Sequence, residues 1–311
     1  MSGAGARPAA IHLVTILYSS ADWMPGFLDC LLAQDMTEWR LIAIDNASTD
    51  GAAAIVEARA DPRMTVIRNA ANFGFSKAAN QGIMRAAEEG GAFFVLLNND
   101  TRFPPNLLRD LVAKRSSLGA DVIAPRIMDL ADETKTYFAG GRLDHGWLVN
   151  HLHDQHDPDD PRESRPIESA SGCCLGLTRA AVERVGLLDE SFFVYWEDVD
   201  LCMRLTAAGI PIIYVRDPWL QHAEAGSTGG ESNPEHNRVW YEAYMVFLRK
   251  HFGLRFAVAS MARIMRLELR RQDWSRQRKQ VAFASMTRGL TKRLVPPPRL
   301  PPASRIPPDP R

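Results

Sequence analysis

Four cysteines are all that 311 residues contain. Cys30, Cys173, Cys174 and Cys202 form no C-x-x-C pair, and the adjacent 173–174 couple suits neither a zinc knuckle nor a disulfide ladder, so they read as reduced core thiols. No apolar run approaches the roughly 18 to 20 residues that cross a bilayer, and the opening MSGAGARPAA lacks the apolar stretch of a secretory leader. The expectation is a protein of the cytosol, or one that touches a membrane from that side. Net charge is missing too: 37 Lys+Arg balance 37 Asp+Glu, which excludes a uniformly basic nucleic-acid binder. Neither G-x-G-x-x-G nor G-x-x-x-x-G-K-[ST] follows the first apolar run, so a classical dehydrogenase or P-loop enzyme is disfavoured.

With 46% hydrophobic and 24% charged residues, the chain has the composition and length of one large globular domain with an appendage. Its neutrality hides an asymmetry. Residues 249–311 carry 16 Lys+Arg against 3 Asp+Glu, a surplus that residues 1–248 cancel. Short β-branched or aromatic runs, IHLVTIL from Ile11, WRLIAI from Trp39, MTVI from Met64 and FFVLL from Phe93, read as strands buried on both faces. Helical spacing falls between them, after Asp22 and Ser76 as caps and in the alanine-rich residues 52–60. This β-α alternation predicts an α/β fold with a mainly parallel central sheet wound by right-handed crossovers. Residues 101–170 look less regular, and residues 144–166 read as a surface loop. There, His145, His151, His153 and His156 lie among Asp154, Asp157, Asp159 and Asp160, a solvated acceptor-side loop rather than a zinc site. A long helical region is expected over residues 235–293, and the last 17 residues, with 8 prolines, read as a disordered or polyproline tail.

Ligands of parallel sheets bind beyond the carboxyl ends of the strands, and the polar clusters sit there: Tyr18-Ser19-Ser20, Asp45-Asn46 and Asn98-Asn99-Asp100. Without a phosphate loop, a divalent cation on hard oxygens is the other way to hold a diphosphate, and Asp100 supplies a carboxylate. Taken alone, N-N-D equally describes a polar turn. A helix starting near Glu197 puts Asp198 on the stripe of Leu201, Cys202 and Leu205, while Glu197 aligns with Asp200 and Arg204. Asp200 and Arg204 then read as a solvated or structural pair. Asp198 reads as a desolvated carboxylate with a raised pKa, a candidate general base, although an inward-facing helix cap gives the same pattern.

The ordered set VTILYSS, IDNASTDG, NFGFSKAANQGI, LLNNDTRFPPNLL, GLLDESFFVYWEDVDLCMR and His222 before Gly226-Ser227 resembles the inverting family-two glycosyltransferases of A-type fold, and is most similar to their rhamnosyltransferase-like branch. The resemblance spans about residues 11–250 and implies a single Rossmann-like catalytic domain over 11–234, with nucleotide-binding and acceptor halves meeting at residue 100. A disordered residue 1–10 segment, a basic helical extension over 235–293 and the tail from 294 complete the expected layout. It further implies that Asp45 binds the base or ribose beside Thr15 and Tyr18, that Asn72, Gly74, Lys77 and Asn80 pack under the nucleotide, with Asn99 also at the nucleotide sugar, and that Lys77 reaches the diphosphate. Asp100 matches the last acid of the D-x-D metal motif and His222 a histidine completing an Mg²⁺ or Mn²⁺ site. Asp198 matches the catalytic base, with Trp196 and Glu197 beside the acceptor. One departure is Asn98, where the family motif has its first acid; an amide oxygen is the weaker ligand.

The implied activity moves a sugar, rhamnose by resemblance, from a nucleoside-diphosphate donor to a hydroxyl of a glycan or lipid-linked acceptor in cell-envelope polysaccharide synthesis. A non-catalytic sugar-binding or scaffold member of the same fold is the alternative. Arg263, Arg266 and Arg270 share one helical face beside Phe256, Ile264 and Leu267. Residues 249–293 therefore either contact the inner leaflet or pack on protein with solvated arginines.

Overall fold

A computed structural model of the chain describes residues 11–144, 148–151, 163–223, 234–270 and 275–301. Of the histidine-rich loop, His145, His153 and His156 and their aspartates lie outside these residues. Strands β1 (Ile11–Leu17), β2 (Trp39–Asp45), β3 (Met64–Arg68) and β4 (Phe93–Leu97) alternate with helices α1 (Met24–Leu32), α2 (Ala52–Glu57) and α3 (Phe75–Glu88). β1 pairs in parallel with β2 and β4, and β2 with β3. Every residue of β4 is buried, and β1 is buried apart from Ile16, as expected of strands covered on both faces.

The stretch from 101 to 170 corrects the irregular reading. It holds β5 (Thr101–Arg102), α4 (Leu107–Leu118), β6 (Val122–Asp129), β7 (Thr136–Phe138), β8 (Gly141–Asp144), β9 (Leu148–His151) and β10 (Ser164–Ile167). Pro125 and Arg126 interrupt the apolar run of β6, and Lys114, Arg115, Ser116 and Ser117 dilute the apolar face of α4, which hid both. β11 (Cys174–Thr178), α5 (Arg179–Val185), α6 (Glu197–Ala207) and β12 (Ile212–His222) follow. Among the described residues the main sheet runs β10-β12-β6-β11-β4-β1-β2-β3, with β5 on β12 and β7 on β6. β11 runs against both its neighbours, β4 and β6, whereas β6 and β12 are parallel to each other. The sheet is thus mixed, with β1, β2, β3, β4, β6 and β12 sharing one direction, β11 reversed in its middle, and β5, β7 and β10 reversed against β12 and β6.

Two predicted caps are not used. α1 opens at Met24 with Pro25 in its first turn and no side-chain cap, and Ser76 lies buried inside α3. Gly74 precedes α3 with φ +84°, and a Cβ there would stand 2.4 Å from Phe193 O.

The C-terminal region is three helices rather than one: α7 (Pro234–Phe252), α8 (Leu254–Arg270) and α9 (Arg276–Thr291), the first break falling at Gly253 with φ +86°. α7 to α9 share a second core with Phe192, Trp196 and Val199. The start of the proline tail is docked, not disordered. Val295 N donates to Ser191 Oγ (2.9 Å), Leu187 N donates to Pro298 O (2.8 Å), and Leu300 joins the main core. Proline supplies carbonyl acceptors without donors of its own, so a run rich in it can lie along a loop whose N–H groups need partners.

Candidate active site

The parallel register sets Leu17 beside Asp45 and Asp45 beside Arg68, so three strand ends meet at one rim. Asp45 is buried; its Oδ1 accepts from Ser48 N (2.9 Å), and its Oδ2 lies 3.0 Å from Arg68, whose half-exposed guanidinium also grips Glu57 (2.8 Å). Arg68 was missed, although the strand-end rule that selected Asp45 applies to it equally. In the sequence Asn46 is only part of a strand-end cluster, without a role. Its amide donates to Asn72 Oδ1 (3.0 Å) and to Gly74 O (3.1 Å), fixing the loop that leads into α3. Asn72 Oδ1 in turn accepts from Gly74 N (2.9 Å). Thr15 is buried, its hydroxyl without a partner among the described residues, Tyr18 is exposed, and Lys77 Nζ stands 4.3 Å over the Phe73 ring. Asn80 is placed elsewhere. It is fully buried, donating to Leu188 O (2.9 Å) and Glu190 (3.0 Å) and accepting from Leu188 N (3.0 Å), so it staples α3 to the loop before α6 instead of facing a ligand.

Beyond β4 the chain turns through Asn98, Asn99 and Asp100. Asn99 Nδ2 donates to Ile16 O (2.8 Å), which ties this turn to the end of β1. β5 then pairs with the end of β12, opposing Thr101 to His222, and Ala223 N donates to Asp100 O (3.0 Å). That pairing places His222 Nε2 3.2 Å from Asp100 Oδ1. Both side chains are buried, and Asp100 Oδ1 and His222 Nδ1 have no hydrogen-bond partner among the described residues. A buried carboxylate oxygen that no donor satisfies is costly unless a cation takes its place, and carboxylate with imidazole suits Mn²⁺ or Mg²⁺ with oxygen ligands from elsewhere. Residues and ion therefore fit. Among the described residues no third His, Cys, Asp or Glu joins them, so the remaining positions fall to the donor's oxygens or water.

The acids of α6 are arranged differently from the expectation. Two consecutive left-handed residues, Tyr195 (φ 71°) and Trp196 (φ 70°), turn the chain into the helix. Such backbone costs about 1–3 kcal/mol per residue and persists only when packing imposes it. The packing is visible: the Trp196 ring stacks on Tyr244 at 4.5 Å and meets Phe247 at 4.9 Å, both from α7. Trp196 is thus a core residue of the C-terminal helices, not a ring offered to an acceptor. Glu197, not Asp198, is the desolvated acid. It is buried with Oε2 unpartnered among the described residues, and burial first, then the charges of Asp198 and Asp200, push its pKa well up. Asp198 is half-buried; its Oδ2 accepts from Gly172 N (3.0 Å) and its Oδ1 from Val199 N (2.8 Å).

Asp200 is fully buried rather than solvated. Arg204 (2.9 Å), Lys250 (2.6 Å) and His251 (2.8 Å) surround it, and Lys250 also bonds the buried Asp189. Burial alone would raise the Asp200 carboxyl, but the His251 hydrogen bond and the Arg204 and Lys250 cations overcome it and bring it down to about 2. Arg204 further donates to Val185 O and Leu187 O. The cluster clamps α6 to the last turn of α7. Sequence spacing could find Arg204 but not Lys250 or His251, which are distant in the chain.

One edge of the sheet joins these parts. Asn98 N donates to Cys173 O (2.9 Å), and Gly172, the next residue back, donates to Asp198. The Cys173 thiol is pushed up by burial and then by the charge of Asp100, so Asp100 and Asp198 flank the same short segment. Asp45, Asp100, His222 and Asp198 all sit at the carboxyl ends of the parallel strands or on segments tied to them.

Residues 13–186 match the model of glycosyl transferase family 2. The N-acetylglucosaminyl-diphospho-decaprenol L-rhamnosyltransferase of Mycobacterium tuberculosis is 28% identical over 270 residues, which cover 78% of this chain and 85% of that one. Among solved structures, a Pyrobaculum calidifontis mannosyltransferase in complex with GDP-Man and Mn²⁺ is similar at TM-score 0.57 and 14% identity, over 92% of this chain and 88% of that one. Residues 1–349 of S. aureus TarS are similar at TM-score 0.51 and 16% identity, over 90% and 71%. At these identities the structures speak for the fold, the glycosyltransferase A-type fold that the sequence motifs implied.

Proposed function

The chain belongs to glycosyl transferase family 2, and from that premise we propose a metal-assisted, inverting transfer of a sugar, rhamnose in our reading, from a deoxythymidine-diphosphate donor. The acceptor is a hydroxyl of a glycan or lipid-linked glycan of the cell envelope, met at the cytoplasmic face of the membrane through residues 249–293. The M. tuberculosis relative, a rhamnosyltransferase named for a diphospho-decaprenol acceptor, supports the choice of sugar and lipid.

The observation that carries the reading is the meeting of the Asp100–His222 pair with Asp198 around residues 171–173. Asp45 and Arg68 offer an acceptor and a donor side by side, which complements a base edge with N–H next to C=O, as in thymine. Asp100 and His222 would hold the divalent cation, which offsets charge on the diphosphate as it leaves. Each oxygen of Asp198 accepts one backbone N–H and keeps lone-pair capacity for a second proton. Asp198 takes the proton of the acceptor hydroxyl while that oxygen forms its bond to the anomeric carbon. The bond from that carbon to the diphosphate oxygen breaks on the opposite face, its electron pair leaves with the nucleotide, and the anomeric centre inverts. The scaffold alternative is not favoured, because a chain freed from chemistry has no reason to keep an unsatisfied carboxylate oxygen beside an imidazole.

The test is incubation of purified protein and Mn²⁺ with a panel of nucleoside-diphosphate sugars, reading nucleotide release. Release from the deoxythymidine-diphosphate rhamnose donor is expected, and silence with every donor would refute the proposal.

A further inference from the structure

The surface of α8 is divided between protein packing and an outward face. Phe256, Ile264 and Met265 of α8 pack against the second core, and Glu268, the one acid of the helix, is buried and accepts from Tyr241 Oη at 2.8 Å. The stripe expected from Phe256 and Ile264 is therefore consumed by protein packing. What faces outward is a different apolar set: Leu254 (55% exposed), Val258 (45%) and Leu269 (61%), with Ala262. Arg255, Arg263, Arg266 and Arg270 are exposed as well. At 3.6 residues per turn the four apolar side chains fall within about 80° of arc and the four arginines within about the next 80°. Leu267 flanks the arginines on their far side, and no acid interrupts the face. Among the described residues no helix is long and apolar enough to cross a membrane.

We infer that this outward face of α8 lies on an anionic lipid bilayer, with Leu254, Val258 and Leu269 at the acyl boundary and the arginines among the headgroups. Three features on the molecule select this occupant. Cationic and apolar side chains occupy adjoining sectors along the whole helix, the arrangement of a helix lying in an interface, rather than a groove that would seat one partner side chain. Residues 249–311 carry 16 Lys+Arg against 3 Asp+Glu, so a second copy would set arginines against arginines. The arginine stems border the apolar sector, where a lipid surface satisfies cation and apolar side chain at once. The inference deepens, and rests on, the membrane contact proposed above by naming its face and lipid charge; none of these residues belongs to the site at the strand ends.

Flotation of the full chain with phosphatidylcholine vesicles, with and without phosphatidylglycerol, tests it. The expected result is binding to the vesicles that contain phosphatidylglycerol, weakened by added salt. A triple change of Arg255, Arg266 and Arg270 to Gln should lower the partition coefficient by about a hundredfold. A triple change of Leu254, Val258 and Leu269 to Ser should weaken it too. Both variants should keep the unfolding midpoint and the nucleotide release of the parent in solution, so a failure of binding is distinguishable from a failure of the catalytic reading. The inference is overturned if the chain does not float, if it floats equally with pure phosphatidylcholine, or if either triple variant floats like the parent. It is also overturned if sedimentation velocity shows the Ser variant converting a dimer to a monomer, because the face would then be a self-interface.

Discussion

His251 Nε2 lies 2.8 Å from Oδ1 of Asp200, two residues along α6 from Asp198. The end of α7 therefore grips the turn of α6 that carries Glu197 and Asp198.

Stability should respond to acid through that grip. The Asp200 carboxyl titrates near 2 in the folded chain and near its ordinary 3.8 when unfolded. A depressed folded pKa means that the unfolded state binds the proton first, so the stabilisation is complete above about pH 4 and is lost as pH falls toward 2. The difference corresponds to about 2 kcal/mol. Lys250→Met leaves Asp200 buried with one cation fewer and should cost about 3 kcal/mol by chemical denaturation at neutral pH. It should also flatten the acid limb; a limb identical to the parent's would reject the clamp.

Asp198→Asn should unfold at the parent's midpoint while its turnover falls by about 10² to 10⁴. Glu197→Gln separates the two neighbouring acids. Burial raises the Glu197 pKa, so its contribution to stability is present below about pH 4.5 and declines as pH rises toward the folded value. The Gln variant should gain thermal stability over the parent progressively from pH 5 upward, and keep more activity than Asp198→Asn. Equal losses of activity from both would return the assignment of the base to Glu197.

The cation should be read through its pair. His222→Ala and Asp100→Asn are expected to raise the Mn²⁺ concentration that gives half-maximal nucleotide release by tenfold or more on the scale of a lost ligand-supporting interaction. Asp198→Asn should leave that concentration unchanged. Release that continues undiminished in excess chelator would remove the metal from the reaction.

Truncation after residue 294 tests the docked tail. The deletion removes the Val295 N–Ser191 Oγ and Leu187 N–Pro298 O hydrogen bonds and exposes the core around Leu300. Summing two hydrogen bonds and one leucine gives about 3 kcal/mol, a drop of several degrees in the melting temperature. A freely disordered tail would leave the midpoint unmoved.

The contrast between legible and hidden parts has a physical origin. β1, β2 and β4 were readable because strands covered on both faces are continuous apolar runs, and the placement of Asp45 and Asp100 at strand ends and of Asp198 at a helix start was readable from the same pattern. β6 was hidden by its Pro125 and Arg126, and Asn80 looked like a ligand because a buried amide saturated by Leu188 and Glu190 cannot be told by sequence from one facing solvent. That Glu197 rather than Asp198 is the desolvated acid was hidden because α6 is covered on more than one face, burying Glu197 and Asp200 along with Leu201, Cys202 and Leu205. The cover over the turn at Trp196 comes from Tyr244 and Phe247, some fifty residues downstream.

The stacking of Trp196 on Tyr244 also bears on how this enzyme could be re-engineered. A chimera that keeps the strands of the amino-terminal half and borrows a foreign carboxy-terminal bundle would strip the turn before Glu197 of its aromatic brace and Asp200 of both Lys250 and His251. The smallest transplantable module therefore begins upstream of the reversed strand and runs through the end of α9, with α6 and the helical bundle inherited together.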